Sequence, residues 1–499
     1  MGLLHRLGES DTTPATILCS ACKEINVPNL VSELDALPDW LESSFSQSKP
    51  RGMLHLSDAR RLPSSAAEGC PMCQLILDAV LKWDQSESAA CQDTHANHLS
   101  KRVSQRYDST WSQACDQDVA LFQQDLVDRP IYLRPSIPSS GTPMFPGEDV
   151  ANSCHLYGFK ALVPIKYGVL ECQIILYALS DSPAAISCDV IARPAFLSSD
   201  SPQAFGLVNC WLAACLSKHD ICKKALCGAD IDESTPSVLP TRVIHVGALD
   251  GVICPRLIET KGEIGHYVTL SHCLWDTAKS NHFETTQASL ESNLAGMPWE
   301  RIPRPYQDAM TITHCLGLEY LWIDSLCVLQ DSPSDQLRES ARKSTVFENA
   351  RLTIAASHAA DSGQTLFPTR PRDPTPVELQ HISQHGAHSG PIFAVPKRQD
   401  NKTTLPEFSP LASHARATEE LLFSRRIIFY TPNAITWSCK RLSQRETGVH
   451  FHTTVRNPQW RVVVEKHSAR SVVKPHDRLD ALVRITELLC NFAGYDASI

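Results

Sequence analysis

Along residues 266–358 the apolar positions gather into short, dense runs separated by segments that read as helices. HYVTLSHC (266–273), LEYLWIDSLCVLQ (318–330) and RLTIAASH (351–358) read as strands. Between them, RPYQDAMTITHCLG (304–317) and DQLRESARKSTVFENA (335–350) read as helices. This strand, helix, strand rhythm predicts an α/β fold on a parallel sheet, whose ligand sites lie at the carboxyl ends of the strands. In the first helix, Tyr306, Ala309, Met310, Thr313 and Leu316 recur at three- and four-residue spacing as a core-facing stripe. Pro305 suits its first turn and Gly317 its C′ position. Past Glu319, the run 318–330 carries one acid, Asp324, in a segment otherwise fit for burial, and a carboxylate there is either a structural cost or a site.

Elsewhere the pattern separates further regions. Residues 1–135 hold paired cysteines and polar helical segments and are expected to be a mixed α+β region. The Pro-, Gly- and Ser-rich stretch 136–150 reads as a linker. Residues 151–255 run through strand-like segments to a helix at LVNCWLAACLSKHDIC (207–222). The α/β unit spans 266–440, with 368–410 as a long loop or insertion. RRIIFYTPNAITWSC (425–439) reads as two short strands around a Thr-Pro-Asn turn. A helical extension over 441–499 contains the amphipathic segment DRLDALVRITELLCNF (477–492).

A chain of 499 residues implies two or three domains, and 42% hydrophobic with 20% charged residues is a globular composition. A formal net charge of -9 without a long Lys/Arg run argues against a nucleic-acid partner, which requires a basic footprint. The first residues lack the apolar core of a secretory signal, and no apolar stretch reaches membrane-spanning length. The expectation is a soluble cytoplasmic protein whose nineteen cysteines are reduced, core-buried or metal-bound. Neither a glycine-rich phosphate loop nor Gly-x-Ser-x-Gly occurs.

Taken together, the α/β segments resemble the fungal heterokaryon incompatibility (HET) domain. YVTLSHCLWD (267–276) is similar to its opening strand motif, PRPYQDAMTITHCLGLEYLWIDSLCVLQD (303–331) to its most diagnostic block, and FENARLTIAASHAADSGQTLFPTR (347–370) to the block after that. NCWLAACLSKHDIC with the later LPTRVIHV resembles the segment that commonly precedes the domain, and HSARSVVKPHDRLDAL (467–482) the segment that commonly succeeds it. The likeness spans roughly residues 207–482. The sequence departs from the pattern at Leu274, which is an extra residue, and at Asp276, which replaces a Gly. In SHARATEELLFSRR (413–426), Arg416 replaces a Trp, Glu419 a Gln, and one residue is missing after Glu420.

The resemblance implies an effector of self/non-self recognition and programmed cell death. Its contact would be a homo-oligomer or a partner protein of the incompatibility system. It also implies a flavodoxin-like sheet akin to the Toll-receptor (TIR) fold, some members of which cleave NAD at the glycosidic bond. Two rival readings stand beside it: a non-catalytic interaction or assembly module with a degenerate site, and a HET-like protein repurposed in a biosynthetic pathway.

Under the catalytic reading, Asp324, Glu420 and His272 are the candidate catalytic groups, and Ser271, Trp275, Gln330 and Arg425 the candidate groups for holding NAD. A carboxylate beside the ribose would stabilise the oxocarbenium-like state. The plainer readings are a structural buried acid for Asp324, a solvated helix face for Glu420 beside Glu419, and a satisfied core histidine for His272.

Cys19 and Cys22 share the two-residue spacer of Cys70 and Cys73, and two such knuckles can offer four thiolates to a structural zinc. The 47 residues between them exceed common zinc-ribbon spacing, and His55 is a candidate substitute ligand. The alternative is four reduced thiols. Cys215, His219 and Cys222 fall at i, i+4 and i+7, with Val208 and Trp211 on the same stripe. That pattern fits either packing or a metal completed by a fourth ligand from elsewhere.

Overall fold

Strand Gly168–Tyr177 buries alternate residues, Leu170, Cys172, Ile174 and Leu176, whereas Tyr267–Ser271 buries all five of its residues. The first pattern belongs to a sheet covered on one face, the second to a sheet covered on both. Both kinds are present in the computed structural model. It describes residues 18–32, 35–36, 51–81, 116–136, 156–166, 168–187, 189–249, 252–273, 283–370, 375–382, 389–397, 406, 409–448, 464–465 and 467–470. The chain divides into one unit of residues 1–194 with 373–399 and a second of 195–372 with 400–499. Trp275, most of the 136–150 stretch and the 477–492 segment lie outside the described residues.

The first unit contains a seven-stranded antiparallel sheet in the order Asp35–Ala36, Arg51–Leu56, Ile131–Ser136, Gly158–Ile165, Gly168–Tyr177, Ser389–Pro396, Val377–Ile382. Helix Pro71–Leu81 turns Met72, Cys73, Leu75, Ile76 and Val80 into its core, beside Ile131, Leu133, Phe159 and Ile174. Gly158 marks a close approach: a Cβ there would meet the Ile174 carbonyl oxygen at 2.0 Å. Residues 368–410, polar enough to read as a loop, thus supply two strands. Val377 and Leu379, which alternate with polar neighbours, and Ile392 and Ala394 from the other strand join that core.

The second unit is built on an eight-stranded sheet in the order Arg256–Glu259, Arg242–His245, Tyr320–Trp322, Tyr267–Ser271, Leu352–Ala355, Arg426–Tyr430, Ile435–Cys439, Ser443–Arg445. Only the middle four strands are parallel. The two strands on each side run antiparallel to their neighbours. The sheet is therefore mixed, parallel at its centre and antiparallel on both flanks, where an all-parallel sheet was expected. A short connection accounts for one flank, because the turn after Tyr430 can join only antiparallel neighbours. That turn is the one expected at Thr431-Pro432-Asn433, closed by the Thr431 hydroxyl donating to the Ala434 carbonyl at 2.7 Å.

Helices Arg304–Cys315, Pro333–Asn349 and Arg416–Phe423 lie in the connections between the parallel strands. The first ends as its sequence predicts. Gly317 takes φ 73°, its N–H donates to the His314 carbonyl, and the Leu318 N–H reaches the Thr313 carbonyl. The expected strand over 318–330 is shorter, spanning only Tyr320–Trp322. Asp324 then opens a helical turn, Asp324–Cys327, in which its carboxylate accepts the Ser325 N–H at 2.7 Å.

Candidate functional site

Parallel strands end together, so their last residues share one edge of the sheet. Ser271 closes its strand, His272 comes directly after it, and Asp324 stands two residues past Trp322 on the neighbouring strand. Helix Arg416–Phe423, nearly all of it buried, brings Glu420 to the same place. Glu420 is only 3% exposed, which overturns the solvated-face reading. One of its oxygens accepts the Ser271 hydroxyl at 2.6 Å; the other accepts Lys343 Nζ and, at 3.1 Å, Arg416 Nε. Arg416 also pairs with Asp324, so one guanidinium bridges the two candidate acids.

His272 sits alongside. Its Nε2 is 2.9 Å from the Tyr306 hydroxyl, which in turn donates to Ser325 Oγ at 3.2 Å. Behind Glu420 a row of buried hydroxyls crosses the sheet. Thr269 and Thr353 are 2.8 Å apart, Thr353 and Ser424 2.7 Å, and Ser424 donates to the Glu420 carbonyl at 2.6 Å.

These contacts set the charges. Burial alone would raise the Glu420 carboxyl, but Lys343, Arg416 and the Lys343 and Ser271 hydrogen bonds outweigh it and hold the group below the ordinary carboxylate range. His272 is pushed down to about 3 by burial, with Arg416 and Lys343 adding to the effect, and is therefore neutral at neutral pH. Burial, reinforced by Glu420, pushes the Cys273 thiol up to about 12. The arrangement thus offers a fixed anion, a neutral imidazole, a buried hydroxyl and two cations in one cluster.

The other candidates fall elsewhere. Gln330 donates its amide to the Asp324 and Val328 carbonyls at 3.0 and 2.8 Å, shaping the turn that carries Asp324. Arg425 turns away from the cluster: it pairs with Glu233 and donates to the Glu348 carbonyl at 2.7 Å. Lys343 is a member of the cluster that no motif marks, and only its helical spacing to the buried Val346 and Phe347 hints at its inward position.

Among the described residues, two groups of side chains can hold a metal. The ligand atoms of Cys19, Cys22, Cys70 and Cys73 all lie within 4.8 Å of one another, as do those of Cys215, His219, Cys222 and Cys439. In the first group Cys22 and Cys19 sulfurs stand 3.6 and 3.8 Å from that of Cys73, and the Cys19 N–H donates to Cys70 Sγ at 3.4 Å. His55 lies against this group, its Nε2 3.8 Å from Cys22 Sγ, and replaces none of the four cysteines.

No helix among the described residues is long and apolar enough to cross a membrane. The family model of the heterokaryon incompatibility protein (HET) matches residues 267–425, the stretch that supplies Ser271, His272, Asp324, Lys343, Arg416 and Glu420. Neither a curated protein nor a solved structure matches the chain. The chain therefore carries a heterokaryon incompatibility (HET) domain over residues 267–425.

Proposed function

We propose that the protein serves heterokaryon incompatibility as an effector of self/non-self recognition and programmed cell death, and that the Ser271, Asp324 and Glu420 cluster is the working site of its HET domain. The observation that carries this reading is the convergence of three polar groups, distant in sequence, on one sheet edge. The reaction we assign is hydrolysis of NAD between nicotinamide and ribose. Water attacks the ribose carbon and gives up a proton to solvent, nicotinamide departs neutral with the bonding electrons, and ADP-ribose remains. The bond breaks through an oxocarbenium-like state, which a fixed carboxylate stabilises. Glu420, held ionised by its neighbours, provides that charge, and Ser271 holds a ribose hydroxyl. Arg416, with 35% of its side chain accessible, is the member a pyrophosphate would draw away, freeing Asp324. The parallel strands, in the order second, first, third, fourth along the sheet, support a TIR-like reading of the domain.

A second reading rests on a specific observation: both acids are buried and already ion-paired. A saturated cluster of this kind suits a domain that signals by assembly, as a homo-oligomer or with a partner protein. Incubating the purified full chain with NAD and measuring nicotinamide decides between them. The catalytic reading expects release by wild type, and a fall of about a hundredfold or more in Glu420→Gln and Asp324→Asn variants that still fold. An inert wild type whose toxicity in cells tracks its oligomerisation establishes the assembly reading instead.

We also infer that Cys19, Cys22, Cys70 and Cys73 hold one structural zinc ion. Their 3.6 and 3.8 Å sulfur separations match the edge of a tetrahedron with Zn–S bonds of about 2.3 Å. Four protein ligands leave no open position, so this ion would fix the first unit and perform no chemistry.

A further inference from the structure

We propose a second structural zinc site within the second unit, formed by Cys215, His219, Cys222 and Cys439. Helix Pro202–Lys218 carries Cys215 in its last turn and stops before His219, which leaves the helical conformation at φ −107°, ψ 86°. The 3-10 turn Asp220–Lys223 then swings Cys222 back toward Cys215, so three ligands come from eight residues without lying on one straight helix. The fourth arrives from far along the chain: Cys439 ends strand Ile435–Cys439, and its sulfur stands 3.4 Å from His219 Nδ1. Cys215 and Cys222 are fully buried and Cys439 nearly so. A cluster sealed in this way has no room for a substrate, and a three-sulfur, one-nitrogen set is a common structural zinc shell.

The charges around the cluster favour a negative charge at its centre. Arg426, fully buried, donates from Nε to Cys215 Sγ at 3.2 Å and also pairs with Glu233. Arg351 and Arg425 pair with the same Glu233, and Glu348 is a second acid acting on Arg425. Three guanidiniums against two carboxylates leave one positive charge over. Three neutral thiols would leave it uncompensated, whereas zinc with three thiolates and a neutral imidazole carries one negative charge beside Arg426. N–H donation to a ligand sulfur is also the kind of contact that orients and stabilises a metal thiolate.

The ligands flank the family-matched stretch, with three before residue 267 and one after 425. The ion would tie the entry and exit segments of the HET domain together, so that the domain folds as a closed piece.

The test is zinc content of the full chain, purified under reducing conditions without chelators. With both sites filled, wild type carries two zinc ions per chain. Cys439→Ser removes one, Cys70→Ser removes the other, and Cys210→Ser, at an exposed cysteine on the same helix, removes none. A Cys439→Ser protein with the same zinc content as Cys210→Ser overturns the site, whatever Cys70→Ser does. Should Cys439→Ser fail to fold, X-ray absorption at the zinc edge of wild type decides. The expected shell is seven sulfurs and one imidazole nitrogen shared by two ions. A single zinc that Cys70→Ser abolishes, or shells of sulfur alone, overturns it.

Discussion

His272 is a histidine whose surroundings keep it neutral. It is buried beside Tyr306, with the cations Arg416 and Lys343 nearby, and Glu420 and a hydrogen bond to the Leu270 backbone favour its charged form without offsetting them. Its folded value of about 3 lies below the roughly 6.5 of an exposed histidine. Between those values the unfolded chain binds a proton that the folded chain refuses, so stability falls as pH drops from about 6.5 toward 3. The loss should amount to a few kcal/mol, and His272→Asn should flatten that part of the profile. Denaturant unfolding at a series of pH values measures this; parallel curves for the two proteins would refute it. Asp324, Ser271 and Glu420 were legible in the sequence because they stand at recognisable motif positions. Lys343 was not, because a lysine among Arg, Ser and Thr reads as a solvated helix face until its partner Glu420, 77 residues on, is placed opposite.

Helix Pro333–Asn349 turns a charged stripe inward. Asp335, Glu339 and Lys343 are all buried on the face that also carries Val346 and Phe347. A hydrophobic-periodicity reading finds the helix and misses which face is inside. Asp335 is gripped by Arg242 through two bonds of 2.9 and 3.0 Å and accepts the Leu329 N–H at 2.8 Å, so it fastens the helix to a strand and to the preceding loop. Burial would raise its carboxyl, but Arg242 and the Leu329 N–H hold it low. Asp335→Ala takes from the buried Arg242 its two-bonded partner, leaving Glu259 at 3.8 Å and the Cys327 carbonyl, and should cost about 3 kcal/mol. Pairing it with Arg242→Met should restore much of that loss, and a double-mutant cycle by chemical denaturation measures the coupling. Strictly additive losses would show that the pair does not act as a unit. The same scale explains the shortened strand before Asp324. The run 318–330 is rich in apolar residues, but the Asp324 carboxylate offers the Ser325 N–H a local partner, and the chain turns helical there.

At the scale of the whole molecule, each unit has its own core and its own candidate metal group. Which strands belong to which unit was hidden in the sequence, because residues 393–396 pair with a strand more than 200 positions earlier, and such a contact leaves no local periodicity. The cysteine knuckles were more legible, since spacing alone marks each pair. Folding is what brings the pairs together: Cys70 and Cys73 sit at the start of helix Pro71–Leu81, whose buried side packs on the antiparallel sheet, while Cys19 precedes and Cys22 lies within the four-residue helix Ser20–Lys23. So short a helix has little stability of its own, and its position depends on what ties it to Cys70 and Cys73. If zinc is that tie, Cys70→Ser should lower the zinc content by one ion per chain and speed amide exchange across 18–32 and 51–81. Exchange in the central strands 267–271 and 352–355 should keep its wild-type rate. Hydrogen exchange read by mass spectrometry separates the outcomes. Unchanged exchange in 18–32 with full zinc content would mean that the four thiols are ordinary core residues, and acceleration everywhere would mean that the substitution had unfolded the chain beyond the first unit.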